Sequence, residues 1–85
     1  MKPANTNRST DLSGITPDNF EGFKEYQHIH TGRSVEAIQI NYPFHITNRF
    51  GIQNGEKGDY IKFLQPSPVV SKKDVFEHNY QEKVQ

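Results

Sequence analysis

The chain has 85 residues, enough for one small domain with a correspondingly small core. Ten Lys and Arg balance ten Asp and Glu, which argues against a strongly basic nucleic-acid binder and against an acidic mimic of DNA. Without cysteine, and without an apolar run near the roughly 20 residues of a spanning helix, the sequence excludes a disulfide framework, a thiolate metal site and a helical membrane span, and a cytoplasmic protein is the expectation.

Leu, Ile, Val and Phe supply 20 of the 85 residues, seven of them isoleucine, so a folded, strand-bearing chain is expected, with a few large rings filling much of its core. Residues 1–13 are polar and read as a flexible arm, made mildly cationic by Lys2 and Arg8, ahead of a single domain over 14–85. At Ile15-Thr-Pro-Asp-Asn-Phe20 the chemistry is that of a helix start. Thr16 can cap, Pro17 suits the first helical position, Asp18 favours the positive end, and Ile15 can staple to Phe20. The spacing predicts a short helix ending near Tyr26, with Phe20 and Phe23 on one face and Gly22 limiting its length.

From Val35 to Ile46 the alternation is the clearest in the chain: Ile38, Ile40, Tyr42, Phe44 and Ile46 point one way, Ala37, Gln39, Asn41, His45 and Thr47 the other. This is a half-buried strand that must be an edge, bulge or split at Pro43, where one ladder donor is missing. Phe50 and Ile52 continue the parity, as a prolonged strand or as a second one after a turn. Asn54-Gly55 and Gly58-Asp59 bracket a polar turn, in which the Asp59 side chain can accept backbone N–H groups. Tyr60–Leu64 then alternates as a strand. Gln65-Pro-Ser-Pro68 is a rigid loop, and Val69-Val70 are expected as a short edge strand. Ser71, with Asp74 three residues on, predicts a capped helix from about Lys72 to Lys83, its apolar stripe formed by Phe76, Tyr80 and Val84. The fold class so read is α+β: a small antiparallel sheet of three to five strands, with a short N-terminal helix and a C-terminal helix packed on it.

Three segments, Val35-Glu-Ala-Ile-Gln39, Lys57-Gly-Asp-Tyr-Ile61 and Lys73-Asp-Val-Phe-Glu-His-Asn-Tyr80, together resemble a family of small proteins carried by tailed phages and prophages. The resemblance spans roughly residues 25 to 82. It departs from the family pattern at Lys57, where proline is usual, at Gln65-Pro-Ser-Pro68, and over the arm and first helix. It implies a compact α+β fold and a phage protein in the host cytoplasm, and it carries over no catalytic residue.

No Ser-His-Asp order and no glycine-rich phosphate loop is legible, and nothing pairs Glu36, Glu56 or Asp59 across a cleft, so no catalytic residue and no enzyme activity is expected. His28-Ile-His30 places two imidazoles on one face, which His45 or His78 would have to complete, but the spacing matches no zinc motif, and no metal or cofactor is expected. Glu36 reads as a solvated strand end or as an anchor paired with Arg33 or Arg49. Nucleic acid would call on Arg33, Arg49, Lys57 and Lys62 beside Tyr42 and Tyr60, diluted by the balancing acids. A protein partner fits better, specifically a host protein that the chain binds and modulates, with inhibition as the favoured form. The side chains expected to meet it are Phe20, Phe23, His28, His30, Arg33, Arg49, Gln65 and Ser67. Thr16, Gly58, Asp59, Ser71, Phe76 and Tyr80 are expected to hold the frame, and edge-strand pairing offers a route to a homodimer.

Overall fold

The computed structural model describes residues 9–64 and 67–83. The described chain is mostly β, and its element order is β1 (Thr10–Asp11), β2 (Lys24–His28), β3 (Ser34–Gln39), β4 (Phe44–Asn48), β5 (Gly51–Gly55), β6 (Tyr60–Leu64), β7 (Ser67–Ser71), α1 (Lys73–Asn79) and β8 (Tyr80–Glu82). Strands β7-β6-β3-β2-β8 form a five-stranded antiparallel sheet, and β1-β4-β5 form a second, three-stranded one in which β1 runs parallel to β4.

The alternation from Val35 to Ile46 is real, but it is divided between the sheets. Pro43 lacks a ladder N–H, and the chain turns a corner over Asn41–Pro43, leaving the five-stranded sheet after Gln39 and entering the three-stranded one at Phe44. Ile38 with Ile61 on one sheet, and Phe44 with Ile46 on the other, meet in a shared core that Ile40, Leu12 and Ile15 complete. Tyr42, at the corner itself, is exposed.

The five-stranded sheet is covered on its other face too. There α1 lays Phe76 over Ala37 and Tyr60, with Tyr26 and Tyr80 packed around them. The rings contact closely: Tyr60 and Tyr80 stack on Phe76 at centroid distances of 4.1 and 4.7 Å, and Tyr26 meets it edge-on at 5.0 Å. Ala37, expected on the solvent side, is therefore fully buried. The layers run three-stranded sheet, five-stranded sheet, helix.

Several expectations are corrected. The α+β class with an N-terminal helix does not hold, because residues 16–20 make a single turn and Lys24–His28 is strand β2. The capping chemistry is present: Thr16 Oγ1 accepts the N–H groups of Asp18 and Asn19 at 3.2 and 3.3 Å. Propagation fails at Gly22, whose φ of 112° is left-handed and whose added Cβ would lie 2.9 Å from Ile38 Cδ1. The chain then gains more by filling the place between β3 and β8.

The C-terminal helix covers seven residues, not the span to Lys83, because Tyr80–Glu82 pairs with β2. Ser71 is not its cap. That residue is the last of β7, paired with Tyr60, and the N-cap position belongs to Lys72, which makes no side-chain cap bond. Within the expected arm, the described part is tied to the fold: Thr10 N–H donates to Pro43 O at 3.0 Å, Leu12 N–H to His45 O at 2.9 Å, and Leu12 is buried. The rest of the arm, residues 1–8, lies outside the described residues, as do Gln65, Pro66 and Val84. Among the described residues no helix is long and apolar enough to cross a membrane.

Candidate interaction surface

The tightest polar constellation is built on Asp59. Its side chain is only 8% exposed, and the carboxylate accepts the Glu56 N–H at 2.9 Å and the Lys73 N–H at 2.9 Å, with the Lys72 ammonium at 3.3 Å. Burial alone would raise its pKa. The two backbone N–H groups and then Lys72 outweigh that and hold it below the ordinary carboxylate value. Asp59 thus fixes the turn before β6 and serves the first free N–H of α1 from 14 positions upstream. Gly58 joins this frame, donating its N–H to Ile40 O at 2.7 Å and accepting from Gln39 Nε2 at 3.1 Å. Every strong bond of the carboxylate is spent on structure.

A second constellation has the residue types of a nucleophilic triad, which the sequence order conceals. Ser9 Oγ lies 2.8 Å from His45 Nδ1, and His45 Nε2 lies 3.8 Å from Asp11 Oδ1. The short bonds of Asp11, however, come from Ser13, whose Oγ and N–H donate at 2.6 and 3.0 Å, and Ser13 Oγ in turn accepts the Thr47 N–H at 2.8 Å. These Ser13 bonds lower the Asp11 pKa. The carboxylate orients Ser13 and not the imidazole, so the cluster clamps β1 and the following turn onto β4.

Of the expected partner residues, those described lie on several separate elements, with the His28 and His30 rings 5.9 Å apart between centroids. Phe20 and Phe23 pack partly buried against the inter-sheet core. His28 ends β2, where its Nδ1 accepts the N–H groups of His30 and Thr31, both at 3.2 Å, and its ring meets Tyr80 edge-on. That nitrogen is engaged as an acceptor, and among the described residues no group of three or more His, Asp or Glu side chains is placed to hold a metal. Arg33 closes the β2–β3 turn, Ser67 opens β7 opposite Leu64, and Gln65 is outside the described residues. The ring of Tyr60 is interior, with its hydroxyl donating to Glu77 at 2.7 Å; burial and that carboxylate raise its pKa. It therefore offers no open face for a base to stack on.

What the sheet does present is the tip of the β4–β5 hairpin. Asn48 faces Gly51 across a two-residue turn of Arg49 and Phe50. Asn48 Oδ1 accepts the Phe50 N–H at 2.8 Å, and Phe50 and Ile52 stand 67% and 68% exposed. The Arg49 guanidinium lies over the Phe50 ring at 5.2 Å. The hairpin is held rigidly behind this tip. Asn48 Nδ2 donates to Pro68 O at 3.0 Å and to Gln53 Oε1 at 3.1 Å, and Gln53 Oε1 accepts the Val70 N–H at 3.1 Å. These side chains occupy backbone groups of edge strand β7, which an unprotected edge would offer to another chain.

Next to that hairpin, across Pro68 and its partner Phe63, the five-stranded sheet runs past its apolar core. An open cavity of about 570 Å³ lies there, lined by Glu25, Ser34, Val35, Glu36, Phe63 and Leu64. Glu36 is exposed and makes no ion pair with Arg33 or Arg49 among the described residues. Residue type points to Arg49 as a contact residue, whereas nothing in the sequence points to Phe50, Ile52 or the cavity in that role. Ile52 shares the sequence parity of Ile46, but the register sets it opposite Thr47, on the exposed side of the hairpin. No family model matches this chain, and neither a curated protein nor a solved structure matches it.

Proposed function

We propose that this chain works by binding a protein partner, with the tip of the β4–β5 hairpin as its principal contact. The observation that carries this reading is the exposure of Phe50 and Ile52 beside Arg49, on a turn whose first strand, β4, is pinned to the core by Phe44 and Ile46. Large apolar side chains on a rigid projection gain when a partner covers them, on the order of 1.5–3 kcal/mol for each that is fully buried. Little ordering entropy opposes this, because the hairpin is already held by Asn48 and Gln53. In the phage setting implied by Val35–Gln39, Lys57–Ile61 and Lys73–Tyr80, the partner is a host protein, and occupying its surface inhibits it.

The test compares the wild-type chain with the double variant Phe50→Ser/Ile52→Ser, both immobilised and exposed to host lysate treated with nuclease. Wild type is expected to retain a stoichiometric protein and the variant to lose it, while both melt at the same temperature. Equal retention by both chains defeats the hairpin reading. Recovery of nucleic acid alone from untreated lysate replaces protein binding by nucleic-acid binding.

A further inference from the structure

Register, and not sequence spacing, places Glu25 and Glu36 side by side. They are direct partners across β2 and β3, and Phe63 of β6 is the next residue in the same row. Like charges directly opposite each other destabilise a sheet, and nothing in the packing of either core calls for this pair. Both line the cavity of about 570 Å³ at the end of the sheet, together with Ser34 and the apolar walls Val35, Phe63 and Leu64. That volume lies within the range of roughly 300–1,000 Å³ usual for ligand sites.

One cation of the chain already sits at its rim. The Lys83 ammonium lies 3.4 Å from Glu25 Oε2 and 3.5 Å from Ser34 Oγ, positioned by a bond from Lys83 N–H to Glu25 O at 2.9 Å. Glu36 has no ion pair among the described residues. The cavity therefore presents two carboxylates, one partly neutralised, beside an aromatic ring.

We propose that this cavity receives an arginine side chain of the partner polypeptide, its guanidinium bridging Glu25 and Glu36 and its stem lying along Phe63 and Leu64. The chain's own Lys83 is the competitor that the arginine displaces from Glu25. Arginine suits the site better than lysine, because a planar fork can serve two adjacent carboxylates at once and also lie on an aromatic face. The cavity also adjoins the hairpin, since Phe63 pairs with Pro68, whose carbonyl accepts from Asn48. This inference rests on the protein-binding reading above and names the chemistry of its partner.

The experiment titrates the full chain, at low salt, with the blocked pentapeptide acetyl-Ala-Ala-Arg-Ala-Ala-amide while amide resonances are followed. The same peptide with citrulline, the neutral isostere, serves as control. The arginine peptide is expected to move the Glu25, Glu36 and Phe63 amides, and the citrulline peptide to bind about three- to fivefold more weakly, as befits charges open to solvent. Glu36→Gln should weaken the arginine peptide by a similar factor, and Lys83→Met should tighten it. Equal binding of the two peptides, indifference to Glu36→Gln, or shifts elsewhere on the molecule overturns the proposal. The two readings fail separately. Lysate capture lost by Phe50→Ser/Ile52→Ser but without arginine-dependent shifts removes the cavity site alone, whereas arginine-dependent shifts alongside equal protein retention by wild type and that variant remove the hairpin reading alone.

Discussion

Replacing Asp59 by alanine removes the acceptor of two backbone N–H groups, those of Glu56 and Lys73, and the partner of the Lys72 ammonium. A hydrogen bond to a charged group contributes about 1.5–3 kcal/mol net, whereas the lysine contributes little, because its side chain is 58% exposed. Relief of the buried carboxylate's desolvation opposes these losses, leaving a destabilisation of about 2–4 kcal/mol. For a domain of this size that lowers the melting temperature by about 8–30 °C. Asp59→Asn keeps one carbonyl acceptor and should lose about half as much.

The pH dependence has a definite sign. Because the folded pKa of Asp59 is lowered, its contribution is present above the unfolded carboxylate value and is lost as pH falls through the folded one. The gap between wild type and Asp59→Asn, followed by circular dichroism on heating, should therefore be full at neutral pH and close in acid, below about pH 4. A melting temperature for Asp59→Ala within about 2 °C of wild type at neutral pH, or a gap indifferent to acid, would refute the assignment of Asp59 as the tie between turn and helix.

Two further substitutions test the cores independently. Phe76→Ala empties the centre of the aromatic cluster under α1, where the ring is 1% exposed, and should lose about 3–5 kcal/mol in chemical denaturation; a loss below about 1 kcal/mol would mean that α1 does not seal this face. Gly55→Ala would drive a Cβ into the fully buried Phe44 ring and should lose about 1–3 kcal/mol from overpacking. A neutral result there would show that β5 can draw away from Phe44.

Gly55 illustrates a limit of reading along the chain. Asn54-Gly55 looks like turn chemistry, yet Gly55 is a strand residue without left-handed φ, kept small by a ring eleven positions earlier. The start of α1 is similar. Ser71-x-x-Asp74 has the form of a local cap, but the β ladder claims Ser71 for Tyr60, and the helix N–H is served by a carboxylate brought in by the turn before β6. Thr16 does cap, but only one turn follows, because Gly22 must pass close to Ile38. Of the proposed contact surface, Arg49 could be named from residue type, while Glu25 and Glu36, eleven residues apart, become neighbours only through strand register.

What the residues determine by themselves is what depends on near neighbours. The parity of Ile38, Ile40, Phe44 and Ile46, the break at Pro43, the strand Tyr60–Leu64 and a helix carrying Phe76 all follow from periods of two or four and from a missing N–H. Tertiary structure decided the rest: that the Pro43 break separates two sheets, that Lys24–His28 and Tyr80–Glu82 are strands, that Phe50 and Ile52 stand exposed, and that Glu25 and Glu36 line one cavity. The physical reason is that backbone donors must find acceptors somewhere. In a chain this small a distant strand or carboxylate can satisfy them better than a local turn, so the final arrangement is set by contacts that no local window contains.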